Sequence, residues 1–191
     1  MRGREPNSVS RTLQSVEDDD AGLWARVRQG DEGALAALFD RYEGRLFRHA
    51  SRLLTQREDA KDAVTVAFFE LWRKRASVRL VEGSPLPWLL NTVAHCARNL
   101  ERSGRRYRAL LDRAPMAEPT HTAGHDESGV LAALKRLPER EQAVVVLSVL
   151  EGYPEREVAQ ALGVAPGTVK SRLSRAKAKL RDELAWEGAL P

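Results

Sequence analysis

Apolar side chains recur at helical spacing through most of this 191-residue chain. The clearest case is GVAPGTVKSRLSRAKAKL at 163–180, in which Val169, Leu173, Ala176 and Leu180 follow one another at intervals of three or four residues. This period is typical of one face of an α-helix. The one stretch with a strand-like run, AVVVLSV, is flanked by helical signals. The sequence therefore predicts an all-α protein.

Three long helices are predicted before residue 114. Their sequences are EGALAALFDRYEGRLFRHASRLL, REDAKDAVTVAFFELWRKRA and, from near Pro87, WLLNTVAHCARNLERSGRRYRALLDR. Asp31 is a suitable N-cap for the first. The second carries acids early and bases late, the order that the helix dipole favours. SVRLVEGSPLP, between the second and third, holds one Gly and two Pro and is predicted to be a loop.

The helical pattern stops at residue 114 and resumes near residue 129. APMAEPTHTAGHDES, at 114–128, has no periodicity and is predicted to be a flexible linker. Beyond it, VLAALKRL, PEREQAVVVLSVLEG, EREVAQALG and the helix of 163–180 predict a four-helix domain. Residues 1–18 are polar and aperiodic, as in a disordered tail. We thus expect two small helical domains, 19–113 and 129–185, joined by a linker.

The last two predicted helices are separated by only Gly163, Val164 and Ala165. A short helix, a short turn containing Gly and a basic second helix are typical of a helix-turn-helix. Between Lys170 and Arg181 the chain has six bases and no acid, whereas an ordinary solvated helix mixes the two charges. This one-sided charge favours DNA binding over an antiparallel helix pair in a plain bundle.

A second basic stretch suggests a second contact with nucleic acid. The whole chain has 31 basic and 27 acidic residues, a net charge of only +4, so the distribution of charge matters more than its total. Six arginines and two acids lie between Arg98 and Arg113. Two separated basic patches on a nearly neutral chain fit two contacts with a polyanion, although charge alone is equally compatible with two solvated faces.

No constellation in the sequence predicts catalysis, a metal or a cofactor. His95 and Cys96 are adjacent, and neighbouring helical residues point about 100° apart, so they cannot form a nucleophile–base pair. His121 and His125 have metal-like spacing but no second pair of ligands. A glycine-rich phosphate loop and a serine elbow are both missing from the sequence. The sequence therefore predicts a protein that is not an enzyme.

Cysteine use and hydropathy bear on the compartment. Cys96 is the single cysteine, which excludes an internal disulfide framework and fits a reducing compartment. No apolar run approaches the roughly 18 residues of a membrane span, and MRGREPNSVSRTLQ lacks the apolar core of a secretion signal. We expect a soluble, cytoplasmic protein with no membrane insertion.

The two predicted domains resemble one family in the same order. LKRLPEREQAVVVLSVLEGYPEREVAQALGVAPGTVKSRLSRAKAKL resembles region 4 of bacterial sigma factors of the extracytoplasmic-function (ECF) group. REDAKDAVTVAFFELW is similar to region 2.2, and PWLLNTVAHCARNLERSGRR to regions 2.3 and 2.4. The resemblance covers roughly residues 23 to 184, including a linker in the expected place.

The resemblance implies binding to core RNA polymerase and to promoter DNA. The first domain would bind the β′ clamp helices and open the minus-10 element, and the second would bind the β flap and the minus-35 duplex. An anti-sigma factor would cover these surfaces. The loop 79–87, beside Trp88, lies where the family stabilises unstacked bases, while the apolar neighbours Leu89 and Leu90 favour a core position for Trp88 itself.

The same resemblance assigns candidate contacts. The minus-35 candidates are Thr168, Lys170, Ser171, Arg172, Ser174, Arg175, Lys177 and Lys179. Among them Arg175 would reach a base edge, and Arg172, Lys177 and Lys179 would lie on phosphates. The minus-10 candidates are His95, Arg98, Asn99, Arg102, Arg105 and Arg106. The polymerase-binding candidates are Asp59, Asp62, Phe69, Glu70 and Trp72.

Three positions depart from the family pattern. Thr65 and Val66 stand where Gln and an acid are usual, so nearby acids are expected to carry more of the attraction to polymerase. His95 replaces a common Asn, which predicts a changed base preference in the minus-10 element, whereas Asn99 matches. Ala165, at the N-cap of the last helix, is a poor capping residue, and DNA phosphate is expected to bind those amides.

Two other functions stay open on the sequence alone. A conventional helix-turn-helix regulator would bind DNA as a dimer without polymerase, and its first domain would sense a ligand or a phosphate. A helical adaptor would bind protein only and show no salt-dependent affinity for DNA. Co-purification with core polymerase separates these three classes. The linker is compatible with both a packed and an open arrangement of the domains.

Overall fold

The computed structural model describes residues 19–111 and 129–186. Its helices are α1 (Asp20–Arg28), α2 (Glu32–Leu53), α3 (Arg57–Arg73), α4 (Leu86–Leu111), α5 (Gly129–Arg136), α6 (Glu139–Val145), α7 (Glu155–Leu162) and α8 (Pro166–Trp186). A π-helical turn, Val146–Leu150, extends α6. The described residues contain one isolated bridge, Val81 with Ser84, and no strand. The all-α prediction is confirmed, while the predicted tail 1–18 and linker 114–128 lie outside the described residues.

The first domain packs α2, α3 and α4 around leucines such as Leu38, Leu71 and Leu89, none of which is exposed. Asp31 caps α2, since its Oδ1 accepts a hydrogen bond of 3.1 Å from the amide of Ala34. The N-cap predicted from the sequence is therefore confirmed.

Helix α1 is not predicted by the sequence, in which the first expected helix begins after Gly30. Asp19 caps α1 by accepting a 2.8 Å hydrogen bond from the amide of Gly22. Leu23, Trp24 and Val27 are buried against α2. A nine-residue helix of this kind is marginal alone and depends on tertiary packing, so its period gives little signal in the sequence.

The predicted loop between α3 and α4 is confirmed and contains a tight reverse turn. The amides and carbonyls of Val81 and Ser84 exchange hydrogen bonds of 3.0 and 2.9 Å. Glu82 and Gly83, the central residues, both have positive φ (50° and 80°), as in a type I′ turn. A Cβ on Gly83 would lie 3.1 Å from the Cβ of Ala21, so the turn packs closely on α1.

The second domain is the predicted four-helix unit, with Val144, Leu147, Val158 and Val169 in its core. The helix predicted to end at Gly152 does stop there, where φ is 75°. Its last residues form the π-helical turn, whereas the sequence predicts an ordinary α-helix there. α7 ends as predicted at Gly163, which has a left-handed conformation and leads into the short turn before α8.

The two domains pack against each other. Helix α4 contacts α6, the π-helical turn and α7, and the buried apolar side chains form one cluster through both domains. Gln160 of α7 donates a 2.9 Å hydrogen bond to the carbonyl of Leu80. The sequence left this arrangement open, and the structure has it closed.

None of the helices within 19–111 and 129–186 combines the length and the apolar character that crossing a bilayer demands.

Candidate nucleic-acid interface

Helix α8 has the packed and open faces predicted for it. Val169 and Ala176 are fully buried, and Leu173 and Leu180 pack against the core as partly buried residues. The opposite face is exposed and carries Lys170, Ser171, Ser174 and Arg175. On the partner helix α7, Val158 and Ala159 are buried, as expected for a helix-turn-helix. The geometry leaves a cationic, hydrogen-bonding face available for a groove.

Hydrogen bonds along α8 arrange this exposed face. The hydroxyl of Ser171 donates to the carbonyl of Thr168 at 3.0 Å. Nε of Arg175 donates to the carbonyl of Ser171 at 3.3 Å, which draws the guanidinium along its own helix towards the N-terminal turn. Arg175 is the tenth residue of α8, and this contact turns its guanidinium back towards the N-terminal half, the part of a recognition helix that contacts base edges.

Two of the three flanking bases make contacts within the protein. Nζ of Lys179 donates to Oε2 of Glu141 at 2.8 Å. Arg172 is partly buried and lines a cleft between the domains. Lys177 is exposed. In this arrangement, therefore, Lys177 is the flanking base best placed to meet phosphate.

The predicted minus-10 residues on helix α4 differ in their exposure. His95, Asn99 and Arg102 are exposed, and Nδ2 of Asn99 lies 3.1 Å from Nε2 of His95. This contact confirms that both lie on the same helical face. Arg105 and Arg106 belong to α4, but their side chains lie outside the described residues.

Arg98 departs from the expectation that it follows the DNA backbone, because its side chain is buried, with 7% exposure. Its Nε and Nη2 atoms have no hydrogen-bond partner among the described residues. Burial lowers the pKa of Arg98, and the nearby charge of Glu139 on α6 opposes that effect. Since α6 packs against α4, Arg98 cannot reach a phosphate while the domains are closed.

The loop expected to stabilise unstacked bases lies against the second domain. Arg79 packs on Gly163, where a Cβ would collide with its guanidinium. Trp88 is partly buried and packs against the core, and its carbonyl accepts a 2.9 Å hydrogen bond from Thr92. The core position expected for Trp88 agrees with this packing.

Helix α3 has an exposed stripe formed by Asp62, Val66 and Phe69. These residues follow at i, i+4 and i+7, and Val66 and Phe69 are 45% and 65% exposed. In the sequence Val66 stands out only as a departure from the family pattern, and its place in an apolar surface is apparent only from the structure. Exposed apolar side chains that adjoin one another and are rimmed by polar residues mark protein-binding surfaces.

The other polymerase-binding candidates on α3 are less accessible. Glu70 binds Arg73 at 2.6 Å and Lys74 at 2.9 Å, and these hydrogen bonds lower its pKa to about 2. Trp72 is partly buried, with the Arg75 guanidinium 4.6 Å from its ring. Asp59 is also partly buried. The open part of the surface is thus the exposed stripe.

An ion-pair cluster between the domains was not foreseen from the sequence. Glu151, after the π-helical turn, lies 2.8 Å from Nδ1 of His49 and 3.2 Å from Nη2 of Arg45. Burial alone would raise the pKa of Glu151, but the hydrogen bonds and charges of His49 and Arg45 outweigh it and lower the pKa. The partners are over a hundred positions apart, so no local pattern could have revealed them.

Two features bear on the metal-binding and nucleophilic candidates of the sequence. No group of three or more His, Cys, Asp or Glu within 19–111 and 129–186 could hold a metal ion, and His121 and His125 lie outside those ranges. Cys96 is partly buried among core residues, and burial raises the pKa of its thiol. A raised pKa disfavours the nucleophilic thiolate.

Two sequence families match the two domains. Residues 38–107 match the family described as Sigma-70 region 2, and residues 129–180 match Sigma-70, region 4. The first match covers most of α2 to α4 and the second covers α5 to the middle of α8.

Curated relatives are similar over most of their length. The chain is 37% identical to the ECF RNA polymerase sigma factor SigM of Mycobacterium tuberculosis, over 89% of this chain and 87% of that protein. It is 30% identical to the RNA polymerase sigma factor CarQ of Myxococcus xanthus, over 83% and 94%. Among solved structures, CnrH in complex with the cytosolic domain of CnrY is 26% identical, with a TM-score of 0.56, over 88% and 98%.

Proposed function

This chain belongs to the ECF group of RNA polymerase sigma factors, and on that premise we propose that it directs core RNA polymerase to promoters with minus-10 and minus-35 elements. The observation that carries the proposal is the pairing, in one chain, of a region 2 domain with a region 4 domain whose α8 presents an exposed basic face. A conventional helix-turn-helix regulator would not need the first of these domains.

The second domain would hold the minus-35 duplex. Lys170, Ser171, Ser174 and Arg175 form the exposed face of α8, and Arg can bind guanine with two hydrogen bonds while Ser accepts several base edges. Thr168 and Lys177 would contact the backbone beside them. Arg172 would contact the DNA only after leaving the cleft between the domains, and Lys179 only after leaving Glu141.

The first domain would bind the minus-10 element. His95 and Asn99 lie side by side on α4 and offer hydrogen-bonding groups to a base edge. Arg102 is exposed one turn further on, and Arg105 and Arg106 extend the basic series along the same helix. Arg98 would join them once α6 has moved away.

Core polymerase would bind both domains. The exposed stripe on α3 would contact the β′ clamp helices, with Asp62 supplying charge and Phe69 supplying apolar area. The second domain would bind the β flap. These assignments follow the family resemblance, and the accessibility of Asp62 and Phe69 supports the first.

We also propose that an anti-sigma factor controls this chain. We further propose that the chain acts in the cytoplasm and is not an enzyme. CnrH, which resembles this chain in structure, was solved with the cytosolic domain of CnrY. A helical partner here would cover the exposed stripe or hold the two domains. A pull-down from uninduced cells should then recover a second stoichiometric protein besides polymerase.

Run-off transcription tests the proposed function directly. Purified chain added to core polymerase should give a discrete transcript from a two-element promoter, because the chain supplies both recognition domains. The matched control is core polymerase alone on the same template. The templates are those that the chain with core polymerase binds. If the transcript is no more abundant than in that control, the proposal is wrong.

A further inference from the structure

Two groups of ion pairs between the domains join acids of the second domain to bases of the first. Glu151 meets three bases on α2, which we call the basic socket: Arg45, His49 and Arg52. Glu139, at the start of α6, lies 3.0 Å from Nδ1 of His95 and within range of the charge of Arg98. Both acids therefore occupy basic sites of the first domain, and the second of those sites is a proposed DNA contact.

Glu151 is nearly enclosed in the basic socket. Its amide donates a 3.0 Å hydrogen bond to the carbonyl of Val146, five residues earlier, which closes the π-helical turn. The side chains of Glu151 and His49 are only 7% and 1% exposed. A charge this buried is tolerated only with partners, and removing one partner leaves the other uncompensated. The basic socket and Glu151 therefore depend on each other.

The closed arrangement withdraws DNA-binding groups of both domains together. His95 of α4 and Arg172 of α8 line the same cleft between the domains. Arg98 is buried, and Arg79 of the loop expected to bind unstacked bases packs on Gly163. A phosphate backbone requires accessible cations, so in this state Arg98 cannot reach it and Arg172 is only partly accessible to it.

We propose that the closed state is autoinhibited and that Glu151 in the basic socket is the latch that holds it. Opening would release Arg98, Arg172 and the loop for promoter DNA at the same time. The inhibition rests on the proposed sigma function, whereas the latch itself does not, since it concerns the distance between the domains. Removing the negative charge of Glu151 should therefore favour the open state without any partner protein.

The experiment measures the distance between domains in the full chain. Spin labels are attached at Gln29 and Ala178, which are both exposed. The native cysteine is removed by Cys96→Ser, and pulsed electron paramagnetic resonance measures the distance between the labels. Glu151→Lys should convert a narrow, short distribution into a broad, long one, a shift of at least about tenfold in the open-to-closed ratio. Glu155→Lys, an exposed acid outside the basic socket, is the matched control and should keep the short distance.

A second variant changes the basic socket instead of Glu151. Arg45→Glu changes a residue whose side chain is 42% exposed, so the fold should tolerate it, and circular dichroism verifies the helix content. It should open the chain as Glu151→Lys does. If either folded variant keeps the short distance of the unaltered chain, the latch proposal is wrong.

DNA binding then tests the inhibition separately. On a minus-35 duplex without polymerase, Glu151→Lys should bind about tenfold more tightly than Glu155→Lys, which has the same net charge. An opened chain that binds DNA no better than this control would overturn the autoinhibition. If no variant bound any promoter duplex while the distances still changed, the latch would stand and the proposed function would fail.

Discussion

At the residue scale, the exposed face of α8 was predictable because four apolar residues fix which side of the helix faces the core. The burial of Val169 and Ala176 places Arg175 on the opposite, exposed side. Arg175→Ala should cost on the order of 1–3 kcal/mol in minus-35 binding and relax the preference at one base pair. Titration on single-base variants of the duplex measures both effects. A loss shared equally by all variants would mean that Arg175 contacts phosphate only.

The flanking lysines provide the comparison for Arg175. Lys177→Ala should weaken binding to all duplexes and reduce the salt slope by about one unit. Lys179→Ala should change the slope less, because Lys179 is already paired with Glu141 and must leave it to bind phosphate. The sequence could not reveal that pair, which joins residues 38 positions apart. A larger slope change for Lys179 than for Lys177 would contradict this ranking.

At the element scale, helix α3 separates a structural face from a binding face. Phe69→Ser with Asp62→Lys should weaken binding to core polymerase at least about tenfold, because both residues belong to the exposed stripe and leave the core untouched. Glu58→Lys, on the same helix and exposed, is the control. Equal affinity of the two variants in a pull-down titration would place the interface elsewhere.

Helices with strong periods and clear caps were predictable, and others were not. The cap at Asp31, the loop before α4 and the stop at Gly163 all follow from local chemistry. Helix α1 was missed because its three apolar residues gain stability only by packing on α2. The π-helical turn was missed because its apolar residues fit an α-helix equally well. Family resemblance, rather than periodicity, supplied the candidate contacts on α4.

At the scale of the whole molecule, the closed arrangement makes domain separation depend on pH. The pKa of Glu151 is lowered in the folded chain, so its contribution to closure is complete above its ordinary value of 4.5 and is lost as the pH falls through the lowered value. The facing groups are Arg45, His49 and Arg52, with Tyr153 nearby. The spin-label distance should thus lengthen below pH 4.5, and Glu151→Gln should lack that step. An identical step in Glu151→Gln would assign it to other carboxylates.

The distance in sequence between Glu151 and its partners also sets an order in time. His49 is 102 residues ahead of Glu151, and a ribosome adds about 5–20 residues per second. His49 is thus synthesised roughly 5–20 s before the carboxylate that closes over it, and the end of α4 at Leu111 roughly 2–8 s before it. During that interval the nascent first domain has its basic side chains open. A polymerase or an inhibitor present at the translating ribosome therefore meets a form of the chain that the finished protein, once latched, no longer offers.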